Sequence, residues 1–313
     1  MEEQYLGCML GLAIGDALGF PTEFLSLEDI RRQFGTLGVT DYVAYHRFAL
    51  GTFSDDTQMS VALAEGLLEA PDASLDSLMT AAARRFIAWA RSPENNRAPG
   101  MSCLAGCRRL EEGFSWRESG VPDSKGCGAA MRTAPIGLLF HRRRGRLLEV
   151  ARASSLLTHG HLCAQAGAVA TALAVSLALD STPPAIFLDR LLEATAPVSL
   201  EFADRLGRVR QALPLPSDEA FALLGEGWVS EEAVAGAVYA FLRSPDDFRA
   251  SVLLAANTNG DSDSLACITG AISGAYNGVE AIPASWRERV EKAERLEDLA
   301  RRLYAAATEA VER

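Results

Sequence analysis

The chain has 313 residues, of which 49% are hydrophobic and 23% charged, and it carries a net charge of −11 at pH 7. This balance suits a soluble globular protein with a large core, and the acidic surplus excludes a general basic surface for nucleic acid. It leaves room for a small anionic ligand in a local pocket.

The chain opens Met-Glu-Glu-Gln, without the basic n-region of a secretory leader. Helical periods then run from end to end. Tyr5 to Phe20 is apolar all round except Asp16, and its glycines at 7, 11, 15 and 19 fall four apart. Each glycine costs a helix ~1 kcal/mol relative to alanine. The usual compensation is close backbone approach, so this helix is expected at the centre. Asp16 is either a buried carboxylate bonded to backbone or a support for a metal ligand.

Ser26 to Phe34 predicts a short capped helix, and Thr36 to Leu50 an exposed loop. Helices are expected over 57–69, 75–91 and 102–112, with a break at 93–100 and a loop at 115–126. Ala129 to His141 resumes the helix, with a kink at Pro135. Helices at 144–157, 161–179, 185–194, 200–213, 217–224, 230–242, 248–256, 265–276 and 286–311 complete the chain. Leu162 to Leu179 is uncharged and 18 residues long, the lower edge of a membrane span. Its many alanines, with Gln165, Thr171 and Ser176, predict a buried core helix instead. With no alternating strands, repeats or linkers, the expectation is one all-α domain over 1–313. Six cysteines without a C-x-x-C pair point to buried thiols in a reducing, cytoplasmic setting.

Two stretches set carboxylates beside hydroxyls at a helix start, Ser54-Asp55-Asp56-Thr57 and Asp261-Ser262-Asp263-Ser264. One such stretch is an ordinary N-cap. Two adjacent carboxylates exceed what a cap needs. Four that met in space would repel unless a cation neutralised them. Hard oxygen donors suit Mg²⁺ or Mn²⁺. An EF-hand is excluded because its glycine and glutamate positions hold Ala266 and Ile272. Met131 breaks a dinucleotide fingerprint starting at Gly126, and no G-x-S-x-G elbow occurs. Gly126-Cys127-Gly128 is a plain helix entry or a phosphate-binding one. His159 and His161 have no evident third zinc ligand.

In order, the chain carries Gly15-Asp16-Ala17-Leu18-Gly19 with Pro21 and Glu23, Gly51-Thr52-Phe53-Ser54-Asp55-Asp56-Thr57, Gly126-Cys127-Gly128-Ala129-Ala130-Met131-Arg132, Thr158-His159, and Asn257 with Asn259-Gly260-Asp261-Ser262-Asp263-Ser264. Each piece alone is weak. Five in this order resemble the ADP-ribosylglycohydrolase family, also called the dinitrogenase reductase-activating glycohydrolase family.

The resemblance implies a compact orthogonal helical bundle and a binuclear magnesium centre, with Mn²⁺ as a substitute. It implies Ser54, Asp55, Asp56, Asp261, Asp263 and Ser264 as metal ligands. Glu23 matches a glutamate on a mobile segment beside the metals, and Asp55, Asp56 and Glu23 are the candidate catalytic carboxylates. Gly126, Cys127 and Gly128 match a loop around the ADP-ribose phosphates, and His159 a histidine near the ribose. The implied reaction is hydrolytic removal of ADP-ribose at the ribose C1″ from a protein side chain or small molecule. The alternatives are a binding or structural member without turnover, or a metal hydrolase of another nucleotide diphosphate. The chain departs from the family at Ser54 and Ser264, where threonine is frequent, at Cys127, where asparagine is, and at Asn259, where glycine is.

Overall fold

The structure is a computed structural model and describes residues 1–312. In chain order the helices are α1 (Glu2–Gly19), α2 (Leu27–Phe34), α3 (Asp55–Leu68), α4 (Leu75–Ala90), α5 (Met101–Glu111), α6 (Ala134–Leu139), α7 (Arg144–Leu156), α8 (Leu162–Leu179) and α9 (Pro184–Thr195). They continue as α10 (Leu200–Gly207), α11 (Val209–Ala212), α12 (Ser217–Leu224), α13 (Ser230–Arg243), α14 (Phe248–Ala256), α15 (Ser262–Asn277), α16 (Ala284–Arg287) and α17 (Ala293–Glu312). The all-α expectation holds. Among the described residues strand pairing is limited to isolated bridges, Tyr45–Phe48, Val121–His159 and Gly126–Val229.

Some boundaries differ for local reasons. Pro135 does not kink a helix but sits in the first turn of the six-residue α6, where its missing N–H costs nothing. The stretch expected as one helix over 200–213 breaks at Arg208, and that over 286–311 breaks before Ala293. The loop after α2 is not wholly exposed: Val39 and Tyr42 are buried, and the Tyr42 hydroxyl donates to Trp286 O at 3.2 Å. α8 is a core helix, as expected. Every residue but Leu162 is buried, and α6, α7, α9, α13 and α15 surround it.

The centre of the molecule is the antiparallel pair α1 and α15. A Cβ built on Gly11 would lie 2.3 Å from Gly270 O, and one on Gly270 would lie 2.0 Å from Gly11 O. Gly7 meets Gly274 in the same reciprocal way, and Gly15 and Gly19 lie against Ala266 and Asp263. The strip of glycines thus brings backbone onto backbone, close enough for Cα–H···O contacts. No side chain could stand between them.

This packing inverts the usual effect of alanine. Gly11→Ala, which would gain ~1 kcal/mol in an open helix, must push two backbones apart and is expected to lose about 1–3 kcal/mol. Gly145, in the first turn of α7, has open space around it. Gly145→Ala is expected to be neutral or stabilising. Urea unfolding of both variants checks the contrast; equal effects would remove the backbone contact.

Candidate active site

The first acidic stretch is held by α1. Asp16 Oδ1 accepts from Ser54 N at 2.7 Å, and Oδ2 accepts from Thr57 N at 2.9 Å and Thr57 Oγ1 at 2.5 Å. A carboxylate from one helix therefore caps the start of another. Burial raises the Asp16 pKa, and these donors restrain the rise to about 6. Asp16 thus bonds to backbone and to the Thr57 hydroxyl, and through Ser54 N it also holds a candidate ligand in place. Ser54 Oγ accepts from Asp56 N at 3.3 Å. Ser54 is fully buried beside Asp55 and Asp56.

The second stretch starts α15. Asp261 Oδ1 and Asp263 Oδ1 accept from Ser264 N at 3.4 and 2.9 Å. Gly260, ahead of it, has φ +81°, and a Cβ there would strike Glu226 O. Gly260 O accepts from Phe24 N at 3.0 Å, and Asn259 Oδ1 from Leu27 N at 2.6 Å. The asparagine at this position thus anchors the segment that carries Glu23. Glu23 itself lies on the turn after α1, its N–H on Gly19 O at 3.0 Å.

These segments converge. Carboxylate oxygens of Glu23, Asp261 and Asp263 lie within 4.8 Å of one another. With Asp55, Asp56 and Ser264 they line one side of a cavity of ≈330 Å³. Among the described residues, none of the five carboxylates pairs with a lysine or arginine. Asp56 Oδ2 and Glu23 Oε2 are buried without any partner. Burial, with Asp261 and Asp55 nearby, lifts Glu23 to about 9. Burial lifts Asp55 to about 8 and takes Asp56 and Asp263 well above the usual carboxylate range. Orphaned oxygens, a donor set made of oxygen and uncompensated negative charge are the properties of a hard-cation site.

Gly126, Cys127 and Gly128 line the same cavity with His159. A single 3₁₀ turn, Cys127–Ala129, follows Gly126, so no long helix starts directly from this loop. The Cys127 N–H donates to Trp228 O at 3.3 Å, and its thiol to Asp261 Oδ2 at 2.8 Å. The loop therefore offers close backbone approach at its glycines rather than the Cys127 amide. His159 is buried, with Nδ1 2.7 Å from Thr158 Oγ1. His161 faces elsewhere: its Nδ1 accepts from Cys163 N at 3.1 Å, and it clusters with Cys163 and Glu201.

The sequence gave no signal for several wall residues. Phe24 and Trp228 stack at 5.2 Å between ring centres beside the acidic cluster, Phe24 with φ +66°. Met101, Cys103 and Met131 also line the cavity. Met131 lay inside a quoted motif, but Trp228 stands alone in the sequence.

The family model for ADP-ribosylglycohydrolase matches residues 1–312. The chain is 35% identical to an uncharacterized protein of Archaeoglobus fulgidus over 97% of both chains. It is 28% identical to the ADP-ribosylarginine hydrolase Tri1 of Serratia proteamaculans, over 97% of this chain and 79% of that one. It is 27% identical to the ADP-ribosylhydrolase ARH3 of Danio rerio, over 97% and 90% respectively. A solved structure titled ADP-ribosylglycohydrolase-related protein complex superposes with a TM-score of 0.77 at 30% identity, covering 98% of each chain. The chain belongs to the ADP-ribosylglycohydrolase family, and is by that membership a glycosyl hydrolase.

Proposed function

We propose that the protein is a magnesium-dependent hydrolase that releases ADP-ribose from a modified side chain or small molecule by cleavage at the ribose C1″. The observation that carries this reading is the buried, uncompensated carboxylate cluster that shares one cavity with Gly126, Gly128 and His159. Retention of every acidic position supports turnover over a binding-only role. The names of the curated relatives support an ADP-ribosyl substrate.

Asp55, Asp56, Asp261 and Asp263, with the hydroxyls of Ser54 and Ser264, would hold the cations. Two magnesium ions, when bound, supply Lewis-acid charge at the ribose end of the ligand. The chain's own residues do the rest. An oxocarbenium-like transition state gains from the surrounding carboxylate charge. Asp56, whose Oδ2 is free, is better placed to take a proton than Asp55, whose Oδ2 accepts from Gly100 N at 3.3 Å. Glu23, whose carboxylate oxygens lie beside those of Asp261 and Asp263, is the candidate to move a proton at the leaving group. Gly126 and Gly128 let phosphates approach the backbone. We place the enzyme in the cytoplasm, where its six free thiols suit a reducing setting.

Hydrolysis of ADP-ribosyl-arginine, ADP-ribosyl-serine and O-acetyl-ADP-ribose, followed with magnesium and in excess chelator, tests the activity and reads the leaving group. At least one substrate is expected to turn over with magnesium and none with chelator. Full activity in chelator would end the metal mechanism. Binding of ADP-ribose with no release from any substrate would favour a reader.

Asp56→Asn and Asp261→Asn keep shape and remove one negative charge each. Both are expected to lose activity by at least about 10²-fold, the scale of a lost general base. Both are also expected to lose the magnesium-induced rise in melting temperature while staying folded. Wild-type turnover in either variant would contradict the ligand assignment.

Metal-free protein has a distinctive pH dependence. Glu23 and Asp55 bind protons more tightly folded than unfolded, with folded values of about 9 and 8 against 4.5 and 3.8. Between those values the folded state holds the extra protons, so stability falls as pH rises. The melting temperature in chelator is expected to drop steadily from about pH 4 to about pH 9, and magnesium to flatten the upper part of that slope. A metal-free profile that rises through this window would show the carboxylates to be compensated by other groups.

A further inference from the structure

Arg132 is the largest fully buried side chain among the described residues, and it forms no ion pair there. Its Nη2 donates to Ser154 O at 3.0 Å and to Thr158 Oγ1 at 2.8 Å. Nη1 faces the sulfurs of Met59 and Cys103 at 3.9 and 3.8 Å, and the guanidinium lies 4.7 Å from the Phe86 ring centre. Nε has no partner. A buried guanidinium without a carboxylate is unfavourable, and an apolar side chain of that length would pack more cheaply. Stability does not account for the arginine, so the groups it touches are informative.

Thr158 is the link. A guanidinium has donors only, so the Thr158 hydroxyl must accept from it. The hydroxyl's own hydrogen is left for a further acceptor, and His159 Nδ1, at 2.7 Å, is its other side-chain neighbour, so donation to Nδ1 is the direction that leaves no hydrogen unsatisfied. Burial, and then the Arg132 charge, hold the His159 pKa down at about 3, so the ring is neutral. A neutral imidazole that accepts at Nδ1 carries its proton on Nε2. Nε2 has no protein partner among the described residues. It lies against the two glycines: a Cβ on Gly126 would come within 2.9 Å of it, and one on Gly128 within 3.4 Å. Both glycines and His159 line the acidic cavity.

We propose that Arg132 is a positioning residue: acting through Thr158, it fixes His159 in the Nε2–H form, which presents a donor to a ligand oxygen held against Gly126 and Gly128. The identity of that ligand, ADP-ribose, rests on the reading above; the tautomer does not.

The test uses the full chain labelled with ¹⁵N-histidine, with the His159 signals assigned by their loss in His159→Gln. In the wild type, without ligand, Nδ1 is expected in the unprotonated range and Nε2 in the protonated range. Thr158→Val keeps the shape and removes the relay. Arg132→Met keeps the length and removes the cation. Both are expected to shift the two nitrogens toward a mixture of tautomers while the circular dichroism stays helical. Both are also expected to weaken ADP-ribose roughly tenfold in calorimetry with magnesium, the scale of one lost hydrogen bond. Arg132→Lys keeps a donor and is expected to restore part of each signal. A wild-type proton on Nδ1 overturns the proposal, as does a Thr158→Val protein with wild-type spectrum and affinity. If Arg132→Met does not fold, Thr158→Val decides alone. If wild-type protein does not bind ADP-ribose, the functional reading fails and the nitrogen spectra still decide the relay.

Discussion

The site depends on one helix touching two others in different ways. Through its glycine strip, α1 lies backbone to backbone on α15, whose first turn carries Asp263. Through Asp16 it caps α3, whose first turn carries Asp55 and Asp56. Two acidic stretches two hundred residues apart are thereby brought to one cavity by a single rigid element. Neither contact relies on a long flexible side chain, so the spacing between the stretches is set by backbone.

Such an arrangement carries an electrostatic cost. Five carboxylates are buried near one another without a cationic side-chain partner among the described residues, which favours protonation or repulsion. The surrounding packing keeps them assembled. Hydrophobic burial along α8 and the central pair supplies that support from residues with no role at the cavity. Arg132, a fully buried cation nearby, faces Thr158 rather than any carboxylate. On the reading proposed above, its charge is placed for orientation, and a bound metal would supply the neutralising charge.

Much of this was legible in the sequence for physical reasons. Glycines four apart in an apolar helix have few explanations besides close packing, and that packing is present. Doubled acids at a helix start exceed the needs of capping, and they do converge. What was not legible depended on tertiary partners. Pro135 reads as a kink in the sequence, and only the preceding 3₁₀ turn makes it a helix start instead. The Cys127 amide looked available until Trp228, a hundred residues away, took it. Arg132 stood inside a quoted motif, but a motif does not show that its guanidinium is buried without a carboxylate.

The backbone contact between α1 and α15 also bears on how such a chain can change length. One residue inserted in a helix turns everything beyond it by about 100°. An insertion between Gly15 and Asp16 would swing the carboxylate away from α3, and one between Asp263 and Ala266 would turn the second acid away from the first. Exposed connections that take no part in the cavity, such as residues 112–115 after α5, are under no such restriction. Added length is tolerable where such a connection absorbs it and ruinous inside either helix of the central pair. The two helices act as a fixed gauge, and the exposed connections are the part of the chain that can lengthen.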